Sequence, residues 1–170
     1  QGDLVIYFKI GSNVSDWSGW MVRSKDGGKT WSKREPLQKD FLGPVKNKPV
    51  MSRGRLIAPS SIESNGWRLY FEYSDDMGKT WQRTDYVEAD SITIEGKKKL
   101  KDLAIQPSII LLKDGRLAAL ARTRSEHIGI TYSEDNGKTW SKLKLIDTPN
   151  NNSGLDAVTL SDGNHVLICN

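Results

Sequence analysis

Short apolar runs rich in β-branched and aromatic residues recur along the chain, and each run is closed by a turn sequence. Three such runs occupy residues 20–22, 69–73 and 128–132. This composition and length are typical of β-strands. Other apolar runs flank turns that contain Gly54, Gly115 and Gly163. Because no segment has the period and length of an amphipathic helix, the pattern predicts an all-β chain.

One turn sequence occurs three times, at residues 24–31, 74–81 and 133–140, and each copy reads Ser-x-Asp-x-Gly-x-Thr-Trp. An aspartate accepts hydrogen bonds from the amides of a tight turn, and the glycine permits a positive φ. The tryptophan can bury its ring beneath the turn. The copies start 50 and 59 residues apart, a spacing expected of propeller blades. The repeat therefore predicts hairpins at the same position in successive four-stranded antiparallel blades.

The strands fall into a little over three blades, with the strands of each blade named A to D from the axis outwards. The predicted blades are 1–38 (strands 4–9, 19–24 and 32–37), 39–90 (48–52, 55–62, 67–74 and 82–88), 91–147 (106–113, 116–123, 127–133 and 141–146) and 148–170 (156–161 and 164–169). A propeller closes with roughly four to eight blades. We expect the remaining blades to come from the rest of a longer chain or, alternatively, from a second copy.

The three repeats match the Asp-box, also called the bacterial neuraminidase repeat. The chain thus resembles the sialidase-like superfamily, and residues 43–49, 105–108 and 152–158 resemble its bacterial BNR repeat-like, exo-sialidase-like subgroup. The resemblance implies a six-bladed propeller when complete, a carbohydrate partner, no cofactor, and an extracellular or periplasmic location. Sialidases use three arginines, a Tyr–Glu pair and an Asp acid/base. The Arg-Ile-Pro sequence that normally precedes the first box is not among these residues, so no catalytic residue transfers position by position.

Topology separates the two faces of such a propeller. Asp-boxes are C–D turns and the glycine turns are A–B turns, so up-and-down strands place both on one face. The D–A and B–C loops then share the opposite face near the axis, where convergent polar groups form the default binding-site hypothesis. The candidates at that face are Lys46, Lys48, Gln106, Asn152 and Asp156 at the starts of A strands, Glu63, Arg122 and Arg124 at the ends of B strands, and His127 at the start of a C strand.

Each candidate has a proposed role and an ordinary structural alternative. Arg122 and Arg124 alternate around Thr123, so they share one sheet face and could clamp a carboxylate, or could pair at the surface or between blades. Asp156 and Glu63 are the catalytic candidates, because two carboxyl groups near one sugar can share acid and base roles. The other substrate-binding candidates, which could instead be solvated or satisfy backbone groups, are Lys46, Lys48, Gln106 and Asn152. His127 is either a proton shuttle or structural, and the box residues Asp26, Asp76 and Asp135 are predicted to be structural.

Composition narrows the functional classes. A net charge of +4 permits an anionic ligand. The lysine run at 97–99 and 101 favours a solvated loop, since no nucleic-acid motif accompanies it. One cysteine and two histidines give no metal-ligand spacing, and no apolar run reaches the ~18 residues of a membrane helix. We therefore expect no metal, no nucleic acid and no membrane partner.

Three functions remain. The first is a glycoside hydrolase of the exo-sialidase type that acts on terminal acidic sugars. The second is a polysaccharide lyase on uronate-containing glycans, in which cations neutralise the carboxylate while a base removes the α-proton. The third is a glycan-binding propeller without catalysis.

Overall fold

The computed structural model describes residues 2–64, 66–89, 93–94, 97–98 and 104–170. Apart from one turn of 3-10 helix at Val14–Asp16, its regular structure is antiparallel β-sheet. The described strands are β1 (Leu4–Ile10), β2 (Ser18–Ser24), β3 (Glu35–Pro36), β4 (Val50–Ser52), β5 (Arg55–Ile62), β6 (Arg68–Ser74), β7 (Gln82–Arg83), β8 (Thr93–Ile94), β9 (Lys97–Lys98), β10 (Ala104–Leu111), β11 (Leu117–Thr123), β12 (His127–Ser133), β13 (Lys144–Pro149), β14 (Asp156–Thr159) and β15 (His165–Ile168). The described part holds no helix of the length and hydrophobicity that a membrane crossing requires.

The strands form sheets in which each strand pairs with its neighbours in the sequence. Two sheets are four-stranded, β4-β5-β6-β7 and β10-β11-β12-β13, and β1-β2-β3 is three-stranded. The pairs β14-β15 and β8-β9 are two-stranded. This confirms the predicted all-β fold of four-stranded antiparallel sheets, present here as an open part of a propeller. The division into blades at residues 38, 90 and 147 stays a prediction.

The outer strands differ most from prediction. β7 ends at Arg83 rather than at 88, and β13 begins at Lys144 rather than at 141. Hydroxyl groups interrupt the backbone ladder there: the amide of Phe71 donates to Thr84 Oγ1 at 3.0 Å, and the amide of Tyr132 donates to Ser141 Oγ at 3.0 Å. The lysine run, expected as a loop, contributes the short strand β9; residues 99–103 lie outside the described part.

The core lies between neighbouring sheets rather than within one. Ile57 and Phe71 of the second sheet pack against Ile109, Leu117 and Ala119 of the third. On its other side the third sheet packs through another cluster, which consists of Ile110, Ala118, Leu120 and Ile128 together with Leu155 and Ala157 next to or on β14. Both faces of the third sheet are thus covered, and its inner strands read as continuous apolar runs for that reason.

The Asp-boxes form the same hydrogen-bonded turn in all three copies. In the first, Asp26 Oδ1 accepts from the amides of Lys29 (3.0 Å) and Thr30 (2.9 Å), and Oδ2 accepts from Thr30 Oγ1 at 2.6 Å. Asp76 and Asp135 repeat these contacts. The hydrogen bonds from Thr30 and Ser24 lower the pKa of Asp26 to about 2. These carboxylates serve their own turns and remain ionised while doing so.

The box tryptophans connect adjacent sheets. Trp140 stacks on Phe71 with ring centroids 3.7 Å apart, and Trp81 meets Tyr7 edge to face at 6.2 Å. Trp31 of the first box is 40% exposed. Each of the later boxes therefore pins its sheet to the preceding one through an aromatic contact.

Candidate functional site

Loops that carry no Asp-box bring the first strands of three sheets together. Lys48, just before β4, donates to both carboxylate oxygens of Asp156 at 3.0 and 3.1 Å and to the carbonyl of Ala157 at 3.0 Å. Lys46 donates to the carbonyl of Leu155 at 2.8 Å. These side chains extend from the start of the second sheet to β14, past the start of β10. The N-terminal ends of β4, β10 and β14 therefore lie side by side.

Gln106 occupies a β-bulge at the start of β10. The register with β11 shifts between Ile105 and Ser108, and Gln106 has a φ of 56°. A φ in the left-handed region is uncommon for residues other than glycine, and residues with such a φ are often found at functional sites. The Gln106 carbonyl accepts a hydrogen bond from Asn47 Nδ2 at 2.9 Å, and its Oε1 accepts from Arg122 Nη1 at 3.4 Å. The bulge joins the lysine-bearing loop to the end of β11.

These contacts define two groups of hydrogen-bonded side chains that meet where Lys46 reaches the carbonyl of Leu155, and together we call them the polar cluster. Its members are Lys46, Asn47, Lys48, Gln106, Ser108, Arg122 and Asp156. Five of them are residues that the sequence selected as candidates. The polar cluster combines three cations with one carboxylate and two amides, a set that can bind both the charge and the hydroxyl groups of an acidic sugar.

Asp156 is held as a carboxylate. Ser108 Oγ donates to its Oδ1 at 2.7 Å, and the amide of Ala157 donates to the same oxygen at 2.8 Å. Partial burial raises the pKa of the group, but the hydrogen bonds from Ser108 and Lys48 outweigh it and the pKa is lowered overall. Asp156 is therefore suited to an ionised role, such as a base or an electrostatic anchor, and not to donating a proton at neutral pH.

Arg122 and Arg124 share an aromatic neighbour. Their guanidinium carbons lie 4.9 and 4.4 Å from the ring centroid of Trp67, within the range of cation–π contacts. Nε of Arg122 is buried and has no hydrogen-bond partner among the described residues. A buried donor without a partner costs free energy.

The remaining candidates lie outside the polar cluster as far as the described contacts show. Glu63 directly follows β5 and is partly exposed, and Asn152 is exposed with a φ of 64°. His127 Nδ1 lies 3.1 Å from the carbonyl of Ser125, and its own carbonyl accepts from Thr123 Oγ1 at 2.6 Å. These are contacts within the turn between β11 and β12, and the choice between a proton shuttle and a structural role for His127 stays a prediction.

Sequence reasoning missed three residues at this face, Asn47, Ser108 and Trp67. Trp67 immediately precedes β6, and the rule that selected His127 at the start of a third strand would also have selected it. Asn47 lies between two selected lysines. The hydroxyl of Ser108 carries no sequence signal, because its approach to Asp156 depends on the packing of β10 against β14.

A cleft of about 490 Å³ adjoins the polar cluster. It is lined by residues 5–9 of β1, by Trp17, by the loop 44–49 and by Gln106. Lys46, Lys48 and Gln106 thus face open space, whereas Asn47 is buried beside them.

The sheets, the Asp-boxes and the face opposite them define a β-propeller of the sialidase type. Among crystal structures with this fold, the Ruminococcus gnavus intramolecular trans-sialidase bound to oseltamivir carboxylate is 28% identical, with a TM-score of 0.63 over 89% of this chain and 32% of its own. Trypanosoma rangeli sialidase in complex with 2,3-difluorosialic acid is 22% identical, with a TM-score of 0.64 over 97% of this chain and 31% of its own.

The chain belongs to the BNR repeat-like domain family, whose profile matches residues 1–170. It is 32% identical over 165 residues to the anhydrosialidase of the leech Macrobdella decora, and 28% identical over 179 residues to a sialidase of Paraclostridium sordellii. These alignments cover 87% and 89% of this chain but only 20% and 41% of the two relatives. The chain therefore corresponds to less than half of either relative.

Proposed function

We propose that the chain forms part of a glycoside hydrolase of the exo-sialidase type that acts on terminal acidic sugars. The observation that carries this proposal is the polar cluster, in which Lys46 and Lys48 line an open cleft and Arg122 contacts Gln106 at its edge. Two relatives named as sialidases, and a related leech enzyme solved with 2,7-anhydro-Neu5Ac, support an acidic sugar as the ligand.

In this proposal the cations bind the sugar carboxylate. Arg122 and Arg124 supply planar guanidinium groups, with Trp67 as an apolar platform beneath them, and Lys46 and Lys48 supply point charges. Gln106 and Asn152 bind hydroxyl or amide groups of the sugar. Asp156 and Glu63 are the two proposed catalytic carboxyl groups, and Asp156 acts in its ionised form because it already receives three donors.

Release of 4-methylumbelliferone from its N-acetylneuraminic acid conjugate by the full chain tests the proposal. We expect turnover in the wild type and a loss of roughly 100-fold in kcat/KM for Arg122→Ala, since charge-assisted contacts contribute about 1.5–3 kcal/mol each. Arg53→Ala is the matched control, because Arg53 contacts Gly115 in the glycine turns. Equal losses in the two variants would refute the assignment of Arg122.

Two further assays of the same protein distinguish the hydrolase from a lyase and from a glycan-binding propeller. A uronate-containing polysaccharide that gains ultraviolet absorbance on incubation would identify a lyase and reject the hydrolase. Binding of 3′-sialyllactose without turnover would identify a glycan-binding propeller.

A further inference from the structure

Glu72, on the third strand of the second sheet, is a fully buried carboxylate. Its Oε1 accepts from the amide of Leu42 at 3.0 Å and its Oε2 accepts from the amide of Gly43 at 2.6 Å. A buried carboxylate is costly unless its oxygens find donors. Both donors come from a single loop, the connection between β3 and β4, so Glu72 anchors that loop.

Neighbouring strands hold the same loop. Ser60 on β5 donates to the carbonyl of Gly43 at 2.5 Å, and the amide of Val45 donates to the carbonyl of Pro59 at 2.8 Å. Lys9 on β1 donates to the carbonyl of Pro44 at 2.9 Å. Residues 42–45 are therefore bound by three strands from two sheets.

The packing leaves this loop little freedom. Gly43 has a φ of 68°, and a Cβ atom there would lie 2.8 Å from Leu37 Cδ1. A Cβ atom on Gly19 would lie 2.6 Å from the carbonyl oxygen of Phe41. Lys46 and Lys48 follow within a few residues, so the anchored part of the loop fixes the start of the part that enters the polar cluster.

We propose that Glu72 is the positioning residue of the polar cluster: by holding residues 42–45, it sets where Lys46 and Lys48 meet β14 and the ligand. The part of this inference that concerns a ligand rests on the proposed function. Glu72 acts entirely through the loop and does not itself touch the ligand.

The protonation state of Glu72 tunes this anchor. Burial raises its pKa to about 7, although the amides of Leu42 and Gly43, Lys9 on β1 and Arg83 on β7 act in the opposite direction. Tyr70, on the same strand, also interacts electrostatically with Glu72. Opening of the loop to solvent would return the pKa of Glu72 toward its ordinary value of 4.5, so the closed loop favours the protonated carboxyl. The loop should therefore be held most firmly below pH 7 and less firmly as Glu72 ionises.

Hydrogen–deuterium exchange of the full chain tests the proposal, with Glu72→Gln compared against Glu134→Gln, an exposed carboxylate in the third Asp-box. We expect residues 42–48 to exchange roughly tenfold faster in Glu72→Gln at about pH 5, since the amide side chain replaces one of the two acceptors. After correction for intrinsic rates, wild-type protection should fall as the pH rises from about 5 to about 8, and the variant should lack this dependence. Affinity for 3′-sialyllactose should fall with the protection.

Exchange of residues 42–48 that is unchanged in Glu72→Gln would overturn the anchor, whatever the ligand. Wild-type protection that does not vary with pH would overturn its tuning by protonation, a measurement that needs no variant. Faster exchange with unaltered 3′-sialyllactose affinity would overturn the positioning role. Faster exchange in a protein whose wild type does not bind 3′-sialyllactose would support the anchor and refute the proposed function instead.

Discussion

Glu72 and Asp156 are both carboxylates held by hydrogen-bond donors, yet their pKa values move in opposite directions. Glu72 is completely buried, and the free-energy cost of burying its charge exceeds the stabilisation by two backbone amides and distant cations. The Asp156 side chain is 49% exposed and contacts the Lys48 ammonium directly. Burial therefore raises the pKa of Glu72, and local donors lower the pKa of Asp156. As a result, Glu72 titrates near neutrality and Asp156 stays ionised.

The raised pKa of Glu72 predicts a pH dependence of stability. Between its ordinary value of 4.5 and the folded value of about 7, the native state holds more protons than the unfolded state. Stability from this group is therefore complete below the lower value and is lost as pH rises through the folded value, by about 3 kcal/mol. Urea unfolding across this range should show a wild-type slope that Glu72→Gln lacks. A constant difference between the two proteins would contradict the assignment.

Ser108 predicts a second titration effect. Its hydroxyl donates to Asp156 at 2.7 Å in a buried setting, so Ser108→Ala should raise the pKa of Asp156 toward its ordinary value of 3.8. A carboxyl-carbon NMR titration measures this directly. Ser141→Ala, whose hydroxyl accepts from the amide of Tyr132 on β12, is the control and should leave Asp156 unchanged. An equal shift in both variants would show that the effect is not local.

At the scale of elements, the Asp-box stabilises the contact between sheets through its tryptophan. Trp140→Ala removes a ring stacked on Phe71 and should lower the free energy of unfolding by about 2–4 kcal/mol. Trp31→Ala changes the same position in the first box, where the residue is 40% exposed, and should cost about 1 kcal/mol or less. Chemical denaturation of the two variants makes the comparison. Equal losses would show that the tryptophan serves its own turn rather than the neighbouring sheet.

The elements also show which features a sequence can predict. The Asp-box turns follow from residues within eight positions of one another, and β5 and β12 follow from continuous strand-forming runs. The bulge at Gln106 and the early end of β7 depend on partners elsewhere, namely Asn47 and Phe71. Topology alone brought Lys46, Lys48 and Asp156 to one place, whereas the pairing of Asp156 with Ser108 needed the packed sheets.

In the molecule as a whole, the Asp-boxes and the polar cluster have different roles. The boxes stabilise the turns at one end of the strands and connect neighbouring sheets through aromatic contacts. The loops at the other ends of the strands carry the charged side chains of the polar cluster. Substitutions in the boxes should therefore alter stability, whereas substitutions in the polar cluster should alter binding. This separation is typical of scaffolds whose loops carry function.

Within the described residues, the first and last sheets each end in an apolar strand that is paired along one edge only. β1 and β15 each have one strand partner within the described residues, and Val166 and Ile168 on β15 are 41% and 73% exposed. We propose that further blades, from a longer chain or from a second copy, cover these strands. Open apolar edges favour pairing with another chain.

Residues 1–170 produced alone should therefore self-associate in a concentration-dependent way, as sedimentation velocity would show. Lysines at both Val166 and Ile168 should reduce this association, because charged side chains on an edge strand oppose pairing. Met77→Lys is the control, since Met77 is 62% exposed but lies in the second Asp-box. If the Lys variants of β15 and of Met77 associated equally, the edge of β15 would not be the contact. A protein that stayed monomeric at every concentration would show that β1 and β15 are stable without a further strand partner. That result would contradict the proposal that further blades pack against them.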